Sequence, residues 1–417
     1  MAQPTIAIIG AGQAGFQAAV SLRELHYAGR VVIVGDEPHA PYQRPPLSKN
    51  YLLGECTDEQ VALRPDAYYP QHQLELIAGK RAVAIDRNRR MVGLEDDTVI
   101  GYDHLVIATG ARNRPLPVPG CDLPNVFFLR TLDEARALRA RLAGVRNAVV
   151  IGAGFIGLEF AASAAKVGVG VTVLDVADRP MARALSKSMS AIFAREHARM
   201  GLQLMFETQV MHLLGDAGGV TGVETVDGQI LPAELVVIGI GVIPNVELAA
   251  TCDLPIENGI IVDESLRTCD PHISAIGDVA AHPNRYSSAP RVRLESVQNA
   301  SDQGRCVAAR IMGRPGHYEA LPWFWSYQGE LKLQMAGLPA SGADEIVRGD
   351  PNGTACSVFI FQDDKLICVE SLNRPGDHML SRRLLSNRVA LTREQAGDPK
   401  FDLKSLLPKP AAAATSG

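Results

Sequence analysis

Two glycine fingerprints of one kind stand 142 residues apart in this chain of 417. The first, Gly10-Ala11-Gly12-Gln13-Ala14-Gly15, follows the apolar run Ile6-Ala7-Ile8-Ile9. The second, Gly152-Ala153-Gly154-Phe155-Ile156-Gly157, follows Ala148-Val149-Val150-Ile151. Each comes directly after a strand-like segment and opens a helix-like one, the context in which this pattern signals a dinucleotide site. The glycines permit a tight turn and let the backbone approach a pyrophosphate, which rests on the helix N-terminus. Two such units in one chain imply two dinucleotides and electron transfer between them.

The duplication sets the organisation. The first unit reads as a strand over 5–10, a helix near 13–26 and a strand over 31–34, with a further strand in Tyr102 to Gly110. A proline-rich linker over 115–120 leads to the second unit. That unit has a helix near 132–143, strand 148–152, helix 156–167, strand 171–174 and a closing strand from Leu235 to Gly241. An apolar strand over 273–278 and a helix over 295–312 return to the first unit. From about 322 the pattern changes to short alternating strands. The expected fold is α/β, with two Rossmann-like dinucleotide-binding domains and a C-terminal α+β domain. The boundaries are 1–112 with 244–321 for the first domain, 113–243 for the second and 322–417 for the third.

Bulk properties exclude several classes. A net charge of −5 implies no bulk attraction to nucleic acid or membrane surfaces. No apolar run approaches the 18 residues of a membrane-spanning helix. Seven scattered cysteines show no zinc or iron–sulfur spacing, so no metal is expected, and they read as reduced thiols of a cytoplasmic protein. The first strand begins by about residue 5, which leaves no room for a signal peptide. The Ala-rich tail from Pro408 to Gly417 is expected to be disordered. The ten histidines form no metal or triad motif.

A Rossmann unit needs a carboxylate at the end of its second strand for ribose hydroxyls. Asp36 fills this place in the first unit, with Glu37 as an alternative, and Asp175 fills it in the second, 23 residues after Gly152. A carboxylate there repels the 2′-phosphate of NADP and favours NADH; Arg179 and Arg183 nearby weaken that preference. The segment Pro41-Tyr42-Gln43-Arg44-Pro45-Pro46-Leu47-Ser48-Lys49 holds two cations on a proline-stiffened backbone. It suits either a pyrophosphate and a reduced flavin or a solvated basic loop.

That segment, the Ile107-Ala108-Thr109-Gly110 and Ala275-Ile276-Gly277-Asp278 turns and the two fingerprints together resemble the FAD- and NAD-dependent ferredoxin reductases of bacterial oxygenase systems. Leu294 to Ala300 and Pro322-Trp323-Phe324-Trp325-Ser326 carry the same resemblance, which covers nearly the whole chain. The wider flavoprotein disulfide reductases place redox cysteines where this chain has Leu47-Ser48-Lys49-Asn50. Lys49 argues against thiol chemistry at the flavin, and so against an NADH oxidase or persulfide reductase.

The resemblance implies roles residue by residue. For FAD, Gly10, Gly12, Ala14 and Gly15 approach the pyrophosphate, and Asp36 holds the ribose. Val83 meets the adenine through its backbone, Arg44 and Lys49 line the flavin, and Ala108, Thr109 and Gly110 form a turn beside it. Arg130 sits near the phosphates and Asp278 binds the ribityl chain. Val297 opens a helix facing the pyrimidine edge, and Trp325 packs near the isoalloxazine, with an ordinary core position as its alternative. For NADH, Gly152, Gly154, Phe155, Ile156, Gly157, Asp175 and Gly241 form the pocket. Lys49 and Glu159 are the implied catalytic pair, Glu159 reaching the nicotinamide carboxamide. Read from position alone, a carboxylate complementing a helix N-terminus is the alternative for Glu159.

The implied activity is hydride transfer from NADH to FAD, then single-electron transfer to a 2Fe-2S ferredoxin supplying a haem-thiolate monooxygenase. An aromatic-ring dioxygenase system, or a redox-sensing interaction flavoprotein of the apoptosis-inducing-factor type, is the alternative. Two arginine-rich stretches, 285–314 and 374–394, are candidate docking surfaces for an acidic ferredoxin or solvated helix faces. Arg310 is the residue picked for docking.

Overall fold

The computed structural model describes residues 3–407; the expected disorder of the tail falls outside them. The first unit runs β1 (Thr5–Ile9), α1 (Gln13–Glu24), β2 (Arg30–Val34) and β3 (Leu74–Ile77). A separate antiparallel sheet follows, β4 (Ala82–Asp86), β5 (Met91–Leu94) and β6 (Val99–Gly101), before β7 (His104–Ile107) pairs with β1. The second unit runs β8 (Val126–Phe127), α2 (Leu132–Leu142), β9 (Asn147–Ile151), α3 (Phe155–Lys166), β10 (Gly170–Leu174), α4 (Lys187–Arg199), β11 (Gln203–Met205) and β12 (Leu235–Ile238). The chain then rejoins the first unit as β13 (Ile273–Ala275) and α5 (Val297–Ile311).

The two main sheets have orders β13-β7-β1-β2-β3 and β11-β10-β9-β12-β8, parallel throughout. Their inner strands are buried on both faces, Ile6 to Ile9 and Ala148 to Ile151 among them, so they read as apolar runs rather than alternations. Each such Val or Ile contributes about 1.5–3 kcal/mol on burial. Gly304 lets α5 lie directly on α1, since a Cβ there would sit 2.9 Å from the Ala14 carbonyl oxygen.

The last domain is an antiparallel sheet of β14 (Trp323–Gln328), β15 (Leu331–Gly337), β16 (Asp344–Gly349), β17 (Cys356–Gln362) and β18 (Lys365–Leu372), in the order β14-β15-β18-β17-β16. Helix α6 (Pro375–Ser386) packs on it. The expected alternation is absent from β17, whose residues Cys356 to Phe361 are all buried. Phe359 and Phe361 belong to one buried cluster with Leu384 of α6, and Cys356, Val358 and Ile360 to another that includes Ile192 and Phe193 of α4. The sheet also holds the N-terminus of α4. Glu370 accepts from the Ser186 N–H at 2.9 Å and the Ser186 hydroxyl at 2.5 Å, and Glu345 accepts from the N–H groups of Lys187 and Ser188 at 2.8 and 2.9 Å.

Candidate functional site

The two fingerprints form the same local structure. Gly10 has φ +120°, and a Cβ there would lie 2.0 Å from the Ala108 carbonyl oxygen; Gly152 has φ +108° and would meet the Gly239 oxygen at 2.4 Å. Only glycine fits such a backbone. A Cβ at Gly15 or Gly157 would likewise run into the preceding turn, 2.0 and 2.1 Å from the oxygens of Gly10 and Gly152. Gly12, by contrast, has nothing within 4 Å of a would-be Cβ, and Gly154 only the Gly239 oxygen at 3.8 Å. Neither α1 nor α3 has a side-chain cap or an acidic residue in its first turn. Uncapped helix N-termini beside open space suit an anion, so the residues present fit a dinucleotide pyrophosphate at both places.

In the first unit the implied FAD residues gather at the C-terminal ends of the parallel strands. Asp36 follows β2 and is exposed, with only a 3.5 Å ion pair to Arg81. Glu37, its alternative, is committed elsewhere: it pairs with Arg44 at 2.6 Å and accepts from the Tyr42 hydroxyl at 2.5 Å. Burial pushes the Tyr42 phenol above its ordinary range. Arg44 also donates to the Arg130 carbonyl at 2.7 Å, and Arg130 pairs with Asp278 at 3.1 Å. Glu37, Arg44, Arg130 and Asp278 thus make one polar string across the mouth. Thr109 and Asn245 exchange hydrogen bonds at 2.8 Å, fixing the turn of Ala108 and Gly110. Val83 is exposed and sits in a bulge of β4, outside the ladder register. Val297 opens α5 behind Ser296, whose hydroxyl accepts from the Asn299 N–H at 3.1 Å.

In the second unit Asp175 is tied into the fingerprint loop. Its carboxylate accepts from the Ala153 N–H at 2.6 Å and the Ala177 N–H at 2.8 Å. Ile156 is exposed, and Gly241, at φ +99°, lies beside the Arg183 guanidinium. Phe155 packs against Phe324 of β14 with ring centres 4.6 Å apart and planes tilted by 49°.

Lys49 and Glu159 come together where the two units and the last domain meet. Pro45–Ser48 forms one 3-10 turn with Pro45 at its first position, which aims Ser48 and Lys49 at α3. Ser163 of α3 donates to the Ser48 carbonyl at 2.8 Å. The Glu159 carboxylate, 4% exposed, accepts from Lys49 Nζ at 2.5 Å, from the Ser48 hydroxyl at 2.5 Å and from the Ser326 hydroxyl at 2.7 Å. Strand alternation turns Phe324, Ser326 and Gln328 of β14 toward α3 and puts Trp323 and Trp325 on the other face, their rings 5.5 Å apart. Trp325 is half-buried there. Ser48 and Ser326 fall inside motif segments that assign them no role, and isolated Gln and His residues such as Gln328 and His197 carry no spacing signal.

Arg310 needs correcting. Its guanidinium donates to the Ser274 hydroxyl and approaches His104 Nε2 at 3.3 Å. Both partners lie toward the N-terminal ends of β7 and β13, opposite the end that carries the fingerprint loop. Helix α5 places Arg310 thirteen residues from Val297, about 20 Å along its axis. In the arginine-rich stretches Arg285 pairs with Glu319, Arg291 with Glu257, Arg293 with Glu295, Arg305 with Asp302, Arg374 with Asp377 and Arg393 with Asp344, while Arg314, Arg382, Arg383 and Arg388 make no such pair among the described residues.

Comparison with known proteins agrees with this architecture. Residues 4–304 match the family described as pyridine nucleotide-disulphide oxidoreductase, and residues 323–407 match the reductase C-terminal family. The chain is 53% identical over 400 residues to rhodocoxin reductase of Rhodococcus erythropolis, covering 96% of this chain and 93% of that protein. It is 40% identical over 413 residues to putidaredoxin reductase CamA of Pseudomonas putida, covering 97% of each. The crystal structure of the ferredoxin reductase for the CYP199A2 system from Rhodopseudomonas palustris superposes with a TM-score of 0.94 at 48% identity, covering 97% of this chain and 100% of that one. The chain therefore belongs to the pyridine nucleotide-disulphide oxidoreductase family and, within it, to the FAD-dependent ferredoxin reductases.

Proposed function

We propose that this chain takes hydride from NADH onto bound FAD and passes electrons singly to a 2Fe-2S ferredoxin serving a haem-thiolate monooxygenase. The observation that carries the reading is the Lys49–Glu159 pair, buried between the two fingerprint units. A carboxylate offers about four acceptor positions. Lys49, Ser48 and Ser326 occupy three, which leaves one on Oε1 for the carboxamide N–H of a nicotinamide.

FAD supplies the chemistry of accepting an electron pair and releasing single electrons. The chain supplies position and charge. Gly10, Gly12, Ala14 and Gly15 offer backbone to its pyrophosphate, and Asp36 holds its ribose, Glu37 being engaged by Arg44. Val83 meets the adenine, while Arg130 and Asp278 hold the phosphate and ribityl side. Arg44, Lys49 and Trp325 border the ring, and Ala108, Thr109 and Gly110 form the adjoining turn. The N-terminus of α5 at Val297 faces its pyrimidine edge with a positive dipole. For NADH, Gly152, Gly154 and Gly157 seat the pyrophosphate, and Phe155, Ile156 and Gly241 line the pocket. Asp175 repels a 2′-phosphate.

The covalent complex of putidaredoxin reductase with putidaredoxin, whose reductase superposes with a TM-score of 0.94 at 39% identity, supports a ferredoxin partner. Likeness to the reductase of the CYP199A2 system supports the monooxygenase. Seven free cysteines are in keeping with action in the cytoplasm. Among the described residues no helix is long and apolar enough to cross a membrane. The test is NADH-driven cytochrome c reduction with and without a 2Fe-2S ferredoxin. A large ferredoxin-dependent increase is expected; equal rates in both would refute the reading.

A further inference from the structure

Beneath Glu159 lies a run of polar side chains enclosed by α3, α4 and β14. Ser326, Gln328 and His197 are each 0% exposed. Ser326 Oγ is 2.7 Å from Glu159 Oε1, Gln328 Nε2 is 3.1 Å from Ser326 Oγ, and His197 Nε2 is 2.6 Å from Gln328 Oε1.

The proton order follows from the donor inventory. A carboxylate only accepts, so the Ser326 hydroxyl points its hydrogen at Glu159. Its lone pair then receives the Gln328 amide N–H, which leaves the Gln328 carbonyl to accept from His197. His197 must therefore carry its proton on Nε2, and burial, which lowers its pKa, keeps the ring neutral. Its Nδ1 has no partner. Every bond in the series donates toward Glu159, and such aligned bonds polarise one another in a low-dielectric interior.

We propose that Ser326 is a positioning residue for Glu159, oriented through Gln328 by His197, and that the relay fixes the carboxylate for contact with the nicotinamide carboxamide. The inference rests on the NADH reading above and adds three residues of α4 and β14 to it. The Lys49 and Ser48 bonds both fall on Oε2. Ser326 is the one side chain that restrains Oε1, the oxygen with a free acceptor position. Without it only the contacts on Oε2 hold the carboxylate, and Oε1 can pivot about them.

The test is anaerobic stopped-flow reduction of the FAD-loaded protein by NADH and by reduced 3-acetylpyridine adenine dinucleotide, whose methyl ketone lacks the amide N–H. In Ser326→Ala the limiting rate with NADH should fall roughly tenfold, the scale of a hydrogen bond to a charged group. The rate with the analogue should fall less than about twofold on the same ground. Ser326→Thr, which keeps the hydroxyl, should restore the NADH rate. Gln328→Met frees the Ser326 hydroxyl without emptying the site, and it carries the test if Ser326→Ala does not hold FAD. It should lose roughly threefold with NADH alone. Equal losses with both reductants, or an unchanged NADH rate, would overturn the relay while leaving the NADH reading intact. A wild-type protein that NADH does not reduce would overturn both.

Discussion

Lys49 and Glu159 are separated by 110 residues of chain and by 2.5 Å in space. Lys49 leaves a proline-stiffened turn of the first unit, and Glu159 lies in the first turns of the helix opened by the second fingerprint. Their pairing ties the two dinucleotide units together, and on the proposed function it lies beside the two rings. Glu159→Ala should slow FAD reduction by NADH at least tenfold while FAD content is retained. It also leaves Lys49 without its counter-ion, so stability should drop by about 3 kcal/mol. Stopped-flow absorbance and urea unfolding measure the two effects separately, and an unchanged reduction rate would remove Glu159 from the reaction.

The fingerprint glycines divide into those the fold needs and those a ligand needs. Gly12→Ala places its methyl in open space at an allowed φ of −86°. The apoprotein should unfold within about 0.5 kcal/mol of wild type, as for a substitution that meets no neighbour. Its FAD affinity should nevertheless fall at least tenfold. Gly10→Ala drives a Cβ into the Ala108 carbonyl and strains the backbone, so folding itself should fail. Isothermal titration of apoprotein with FAD and denaturant unfolding distinguish the two.

Arg310 is a structural residue. Arg310→Glu would set a carboxylate beside Ser274 in place of a half-buried guanidinium. The change should lower stability by about 2 kcal/mol. The Michaelis constant for ferredoxin should not change in protein that remains folded. A raised Michaelis constant with normal ferricyanide reduction would return Arg310 to the docking surface.

Glu370 makes stability depend on pH. Burial raises its carboxyl from an ordinary value of 4.5 to about 7; the Ser186 bonds oppose this and the Glu345 charge adds to it. Between those two values the native state holds a proton that the unfolded state has lost. Stability therefore falls as pH rises from 4.5 to 7 and levels off above, by about 3 kcal/mol in all. The buried His197 and His104, whose pKa values burial lowers, act in the opposite sense on acidification. The difference between wild type and Glu370→Gln isolates the carboxylate. Denaturant unfolding at pH 5, 6, 7 and 8 should show the wild type losing stability relative to the variant as pH rises; a constant difference would contradict the assignment.

Much of this fold is legible in the sequence because its parallel strands are buried on both faces and their turns demand glycine. Residues 6–9 and 148–151 are apolar without alternation, and Gly10 and Gly152 sit where no other residue fits. The C-terminal sheet is less legible. Alternation is the expectation, but Cys356, Val358 and Ile360 of β17 are buried in a cluster that includes residues of α4, and no local pattern records burial by distant elements. The site divides in the same way. Motifs carry Asp36, Asp175, Lys49 and Glu159, whereas Ser326, Gln328 and His197 matter only through a tertiary meeting of α3, α4 and β14. Arg310 misleads because a run of arginines looks the same in sequence whether its members face solvent or, as here, Ser274 and His104.

The proposed function requires one polypeptide to hold FAD and NADH in adjoining pockets. Anaerobic titration of the purified protein with NADH, followed by visible absorbance, tests it most directly. The protein should be yellow and be bleached by about one equivalent of NADH, with colour restored on adding oxidised ferredoxin. A protein that stays colourless after incubation with FAD, or whose yellow colour survives excess NADH, would contradict it.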